Sequence, residues 1–288
     1  MLLEAGFVRE LEALRRRMQV RARSGGGGEH LAKKKGSSAE FLEHRPYAPG
    51  DDLRRIDWLA FARTGEPVFK LFHAEEDVVV RLLIDTSASL AAGDPSKMDA
   101  SKRIAAAIGY MALALSERTQ VACATEGLDR WCEPTRGRGA LPKLLRDLDV
   151  IEPDGKTDLA EAVDQVIMRS PRPGMLAIVS DFFDPGPFEA AVTKAASAGH
   201  DIALLQVLAK DEVEPEFDGD YQLEDVETGD LLEVTMDASA IEAYLERLNK
   251  LIFGLRALAK KTRATYVRHI AGEPVIGVVR RFVGRVVD

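Results

Sequence analysis

From residue 78 onward, short apolar runs alternate with longer amphipathic stretches. The runs at 78–84, 119–125, 128–133, 175–179, 201–208 and 264–269 are rich in β-branched and aliphatic residues and predict strands. The stretches at about 97–117, 139–149, 158–170, 187–198 and 238–261 predict helices. In the first of these, Ile104, Ile108, Met111 and Leu115 share one face; in the third, Leu159, Val163, Val166 and Ile167 point inward. A last helix begins at Pro274, a residue suited to a first helical position, and carries Val275, Val278, Val279, Phe282 and Val286 at helical spacing. Strand and helix in alternation predict a doubly wound, mostly parallel sheet with helices on both faces. Residues 219–236 depart from the alternation. Two short strands there flank Glu227-Thr228-Gly229-Asp230, a good turn, so the chain from about 211 to 236 reads as a small hairpin insertion.

Ahead of residue 78 the pattern changes. Leu3, Phe7, Leu11, Leu14 and Met18 place one apolar stripe on a cationic helix over residues 3–22. Such a helix packs on its own domain or a partner; the second reading is a helix lying on a membrane surface. Gly25-Gly26-Gly27-Gly28 predicts a flexible break that frees the helix to move. Residues 40–73 are dense in charge, with a turn at Pro49-Gly50-Asp51-Asp52 and a strand over 67–72. Three parts follow: a helix and linker (1–28), a charged extension packing on the core (29–77), and the α/β domain (78–288).

Net charge changes the list of partners. At −8 over 288 residues, it argues against nucleic acid. The charge is also uneven, basic around Arg15-Arg16-Arg17 and Lys33-Lys34-Lys35 and acidic from Asp211 to Glu233. Two cysteines, Cys123 and Cys132, exclude a disulfide scaffold and a four-cysteine zinc site, and read as reduced thiols. With neither a membrane-spanning run nor an apolar signal core, a cytoplasmic location is expected.

The candidate chemistry starts where the run 78–84 ends, at Asp85-Thr86-Ser87-Ala88-Ser89. Ligands bind open α/β sheets at the carboxyl ends of strands, and carboxylate and hydroxyl oxygens suit a hard cation. Asp181, directly after the strand 175–180, and Thr157, in a loop entering a helix, should reach the same edge. The pattern Asp-x-Ser-x-Ser, a later Thr and a later Asp resembles the metal-ion-dependent adhesion site of von Willebrand factor A domains. The resemblance implies a von Willebrand factor A-like, Rossmann-like fold. It also implies that Ser87, Ser89 and Thr157 ligate Mg²⁺ through their hydroxyls, with Asp85 and Asp181 acting directly or through water. Mn²⁺ or Ca²⁺ could stand in for Mg²⁺. So few anionic ligands leave a cation electrophilic, with a position open to an Asp or Glu of a protein partner.

A second resemblance covers residue 36 to the end. Glu43-His44-Arg45-Pro46-Tyr47, Pro49-Gly50-Asp51-Asp52, Arg54-Arg55-Ile56-Asp57-Trp58 and Ala62-Arg63-Thr64 are similar to the signature of a bacterial von Willebrand factor A-like family known as domain of unknown function fifty-eight. Many members carry N-terminal membrane spans; no apolar run of that length is found in this sequence, so membrane anchoring is not carried over. Genes of such proteins typically stand beside MoxR-type AAA+ ATPases. The resemblance therefore implies an adaptor or co-chaperone assisting assembly or maturation of other proteins. The charged residues around Trp58 read as an ion-pair network fixing the extension to the sheet, or as a docking surface anchored by Trp58 and Arg63. Phe182 and Phe183 either pack beneath the next helix or flank the partner-binding face.

Rival chemistries fit less well. Gly155-Lys156-Thr157 mimics the end of a P-loop, but position 150 is Val where that loop needs Gly. Ser87 lacks the Gly-x-Ser-x-Gly setting of a hydrolase nucleophile. A metal-dependent hydrolase on the same ligands would need a general base, for which Asp158 and Asp184 are the candidates. The expectation is a non-enzymatic protein-binding module; the alternatives are that hydrolase or a peripheral membrane scaffold.

Overall fold

The computed structural model describes residues 4–23, 41–48, 56–72, 78–170, 172–183, 187–216, 219–224 and 231–287. In chain order its elements are α1 (Ala5–Arg23), β1 (Phe41–Pro46), α2 (Trp58–Thr64), β2 (Val68–Phe72), β3 (Val79–Asp85), α3 (Lys97–Ala114), β4 (Arg118–Ala124), β5 (Leu128–Trp131), β6 (Thr135–Arg136), α4 (Leu141–Asp149), α5 (Leu159–Arg169), β7 (Met175–Ser180), α6 (Phe188–Ser197), β8 (Asp201–Leu208), α7 (Lys210–Val213), β9 (Gly219–Glu224), β10 (Leu231–Met236), α8 (Ala238–Thr262), β11 (Thr265–Ile270) and α9 (Ile276–Val287).

The main sheet runs β11-β8-β7-β3-β4-β5, with β6 also on β4. Strands β3, β4, β7, β8 and β11 are parallel, and β5 and β6 close one edge antiparallel. The parallel strands are buried on both faces, as their near-continuous apolar runs require. One face packs under α3 and α9, the other under α5, α6 and α8. The chain leaves β3 toward β4 and then crosses back to β7 on the other side of β3, so the strand order reverses between β3 and β7. A crevice opens at such a reversal, outside the carboxyl ends of the two strands.

The mixed α/β expectation is therefore met, with differences at the margins. The first helix ends at Ala114 and the strand after 128 stops at Trp131, with the two-residue β6 taking up its continuation. The hairpin β9–β10 pairs Leu231 with Glu224 through Met236 with Gly219, as a sheet of its own. Its turn lies outside the described residues, as do the Gly25–Gly28 break and the 49–52 turn. In the extension, β1 pairs antiparallel with β2, again separate from the main sheet. Of the α1 stripe, Phe7, Leu11 and Leu14 pack on the domain itself: Leu11 is fully buried in the cluster formed by α3 and α9, Glu12 accepts from Tyr110 Oη at 3.2 Å, and Glu4 pairs with Arg103 at 3.2 Å. Among the described residues no helix is long and apolar enough to cross a membrane.

Two buried groups bear on stability. Burial pushes the Cys123 thiol up to about 12, which keeps it protonated. His269, on β11, is buried with neither ring nitrogen partnered. Burial pushes it down to about 4, with Glu273 opposing and Arg281 adding to the fall. Between about pH 6.5 and 4 the unfolded chain takes up a proton that the native histidine refuses, so stability is lost as pH falls through that window. A single-site linkage gives about 2 kcal/mol of that loss by pH 5. His269→Leu should remove it: urea unfolding at pH 7 and pH 5 should show the variant gaining about 2 kcal/mol on the parent at the lower pH.

Candidate metal centre

The crevice between β3 and β7 holds the predicted carboxylates. Asp85 is the last residue of β3, and Asp181 follows the last residue of β7. Asp85 is anchored on both oxygens: Oδ1 accepts the Ser87 backbone N–H at 2.9 Å, and Oδ2 accepts the Ser180 hydroxyl at 2.6 Å. Burial pushes its carboxyl up to about 6; the Ser180 bond works against that rise and the nearby Asp181 adds to it. Ser87 then turns the chain into a short 3-10 segment, Ala88–Ala91. The result is a row of oxygens: Ser87 Oγ lies 3.0 Å from Ser89 Oγ, which lies 3.4 Å from Asp181 Oδ2.

The loop that carries Thr157 is fastened alongside. Asp154 N–H donates to Thr86 C=O at 2.7 Å, and Ala88 N–H donates to Gly155 C=O at 2.9 Å. The Thr157 hydroxyl, however, lies 3.2 Å from each of the Ala124 and Thr125 carbonyls at the end of β4, to which it donates. Ser87, Ser89, Asp85 and Asp181 are thus gathered by direct hydrogen bonds, whereas Thr157 is placed by its loop with its proton committed to the main chain.

Asp181 is held from three sides. Its Oδ1 accepts Phe183 N–H at 3.1 Å, and its carbonyl accepts Gln206 Nε2 at 2.9 Å, with Gln206 in turn accepting from Tyr266 Oη at 2.6 Å. Its Oδ2 accepts Lys97 Nζ at 2.7 Å, and the same ammonium reaches Glu212 Oε1 at 2.6 Å. Burial works against the Lys97 charge, but Asp181 and Glu212 outweigh it and lift its pKa above the ordinary lysine range. Tyr244, on α8, is pushed up to about 12 by burial and by the charges of Glu212 and Asp181. Neither Lys97 nor Glu212 was singled out by the sequence pattern, and neither was Ser180.

The donor set fits a hard divalent cation. Ligand oxygens about 2.0–2.1 Å from Mg²⁺ at right angles stand about 2.9 Å apart, and the Ser87–Ser89 spacing is 3.0 Å. Three carboxylates against one ammonium leave two negative charges, which a divalent cation would balance. The set leans on hydroxyls: among the described residues no three His, Cys, Asp or Glu side chains gather as metal ligands.

The remaining predicted residues divide. Phe182 takes a left-handed backbone (φ 59°), uncommon for a bulky residue. That turn lets its N–H reach Ser180 Oγ at 2.8 Å and drives its ring inward onto Phe188 at 5.3 Å. At 1% exposure it packs beneath the next helix, the first of the two expectations, and the place given it on the partner-binding face is corrected. Phe183 is 39% exposed, with Lys97 Nζ 5.1 Å from its ring centroid. Trp58 is 58% exposed on α2, edge-on to Phe61, so it is not a core residue. Arg63 Nε donates to Leu59 C=O of the same helix at 3.3 Å, and Asp57 caps that helix through the Leu59 and Ala60 N–H groups. Asp158, a candidate general base, accepts Glu161 N–H at 2.9 Å as the N-cap of α5; Asp184 lies outside the described residues.

Among solved structures the chain is similar to the conserved hypothetical protein BatB from Bacteroides thetaiotaomicron, at 15% identity and a TM-score of 0.47 over 72% of this chain and 98% of that one. It is also similar to an aerotolerance-related membrane protein from Bacteroides fragilis, at 14% identity and a TM-score of 0.47 over 73% and 98% of the two chains. Similarity at this level identifies no function. Sequence relatives are nearer: uncharacterized proteins of Mycobacterium tuberculosis and Mycobacterium bovis are each 33% identical over 215 residues, 73% of this chain and 68% of theirs. A family model described as protein of unknown function DUF58 matches residues 43–250. On the breadth of that match and the mycobacterial identity, the chain belongs to the DUF58 family.

Proposed function

We propose that this chain is a non-enzymatic, divalent-cation-dependent protein-binding module of von Willebrand factor A type, acting in the cytoplasm as an adaptor or co-chaperone beside a MoxR-type AAA+ ATPase. The observation that carries the reading is the row Ser87 Oγ, Ser89 Oγ and Asp181 Oδ2, at 3.0 and 3.4 Å, at the strand-order reversal. A bound Mg²⁺ supplies an electrophilic centre able to take one further oxygen from a partner carboxylate. Ser87 and Ser89 offer neutral oxygens that leave that centre uncompensated. Asp85, fixed by Ser180 and by the Ser87 N–H, orients the serine turn. Phe183, half-exposed beside Asp181, offers an apolar contact to whatever docks there.

A hydrolase on the same ligands has less support, because Asp158 spends its carboxylate on a helix cap. The partner class comes from the family signature around Asp57-Trp58 rather than from the crevice. The test is capture of a purified MoxR-type ATPase from the same organism on this chain immobilised. Capture is expected in Mg²⁺ and is expected to vanish in EDTA. Equal capture in EDTA would overturn the reading.

A further inference from the structure

Lys97 stands where a lysine is least expected. It is the first residue of α3, after the Ser96 cap, and its side chain is 1% exposed. A helix N-terminus disfavours a cation, and long basic side chains usually carry their charge out to water. Both tendencies are overcome here by Asp181 at 2.7 Å and Glu212 at 2.6 Å, with the Phe183 ring 5.1 Å away. The oxygen that Lys97 takes, Asp181 Oδ2, is also the one facing Ser89 Oγ. The ammonium and a divalent cation on the serines would therefore draw on the same carboxylate oxygen. Glu212 makes the sharing workable, since it is a second anion on Lys97 and is itself fixed by Ala209 N–H at 2.7 Å.

We infer that Lys97 is the positioning residue that sets how tightly this site holds a divalent cation: it shares Asp181 with the cation and keeps the affinity low. The inference rests on the metal-dependent reading above and adds to it a named residue and a sign. Two charges of the same sign a few ångströms apart in the interior repel strongly, so removing the ammonium should tighten cation binding. A merely structural lysine would act in the opposite direction, because losing it would loosen the carboxylates.

The experiment is a Mn²⁺ titration of the full-length chain, with free Mn²⁺ followed by electron paramagnetic resonance. Wild type, Ser87→Ala, Lys97→Met and the double variant Lys97→Met/Glu212→Gln are compared. The double variant leaves the site's net charge as in wild type and leaves no Glu212 charge without its ammonium, so it serves where the single one fails to fold. Lys97→Met should bind Mn²⁺ at least about tenfold tighter than wild type, and the double variant should also be tighter, because Asp181 is released. Binding that Ser87→Ala abolishes but that neither Lys97 variant tightens overturns the inference and leaves the functional reading standing. No binding in wild type with binding gained in the double variant upholds the role of Lys97, with the wild-type affinity below the titrated range. No binding in any form overturns both.

Discussion

Asp181→Ala is expected to lower the unfolding free energy by about 3 kcal/mol, the lower end of what breaking a buried ion pair costs. The loss comes from what the substitution leaves behind. Lys97, 1% exposed, would keep its charge with Glu212 as its one remaining carboxylate. Phe183 N–H would lose its acceptor, and Ser89 would lose its neighbour on the Oδ2 side. The lower end applies because Glu212 still neutralises the ammonium. Removing both charges should cost less than removing one: Asp181→Ala/Lys97→Met should recover at least about 1 kcal/mol of the loss. Glu212 tolerates the change, since its side chain is 20% exposed and retains the Ala209 N–H. Urea unfolding of the two variants measures both numbers. A loss under about 1 kcal/mol for Asp181→Ala would mean that the pair does not anchor the crevice. The same variant should show a smaller Mg²⁺-induced rise in Tm than wild type, because cation binding stabilises the native state by mass action.

What the sequence made legible follows from how local each signal is. The parallel strands were readable because a strand buried on both faces writes a near-continuous apolar run, as in Val79-Val80-Arg81-Leu82-Leu83-Ile84, which only Arg81 interrupts. Asp85 and Asp181 were readable because they sit directly on the ends of such runs. Strand β1 was not, since Phe-Leu-Glu-His-Arg-Pro mixes charge through the segment and pairs only with β2. Helix α2 was hidden for another reason: seven residues are too few to write a helical period, and its start depends on the Asp57 cap. The orientation of Phe182 depended on a left-handed turn that bulky residues seldom adopt.

Lys97 and Glu212 were the deepest omission. They lie 115 residues apart and meet only because α3 and α7 both begin at the same sheet edge. A lysine in a helical first turn reads as solvated, and a glutamate in the stretch 211–233 reads as one more acidic surface residue. Burial reverses both readings. It makes the crevice a site of mixed charge rather than a simple acidic pocket, and it is the physical reason that the affinity of the oxygen row cannot be inferred from its ligands alone.

Ser180→Ala should weaken cation binding by about 10–100-fold, although Ser180 is not among the proposed ligands. Its hydroxyl donates to Asp85 Oδ2 at 2.6 Å and accepts Phe182 N–H at 2.8 Å. Without it, Asp85 would keep the Ser87 N–H on Oδ1 but would be free to rotate about that single bond. The serine turn that begins at Ser87 takes its position from Asp85, so a loosened carboxylate widens the spacing of the Ser87 and Ser89 oxygens that a small cation needs. The stability cost should be modest, about 1–3 kcal/mol for the unsatisfied buried acceptor. The two readouts therefore separate a folding defect from a lost orientation. Calorimetric titration of Mg²⁺ into the variant, at a temperature where circular dichroism shows it folded, gives the decisive number. Affinity equal to that of wild type would show that Asp85 does not orient the serines, and the cation would then have to be held by Ser87, Ser89 and Asp181 without that support.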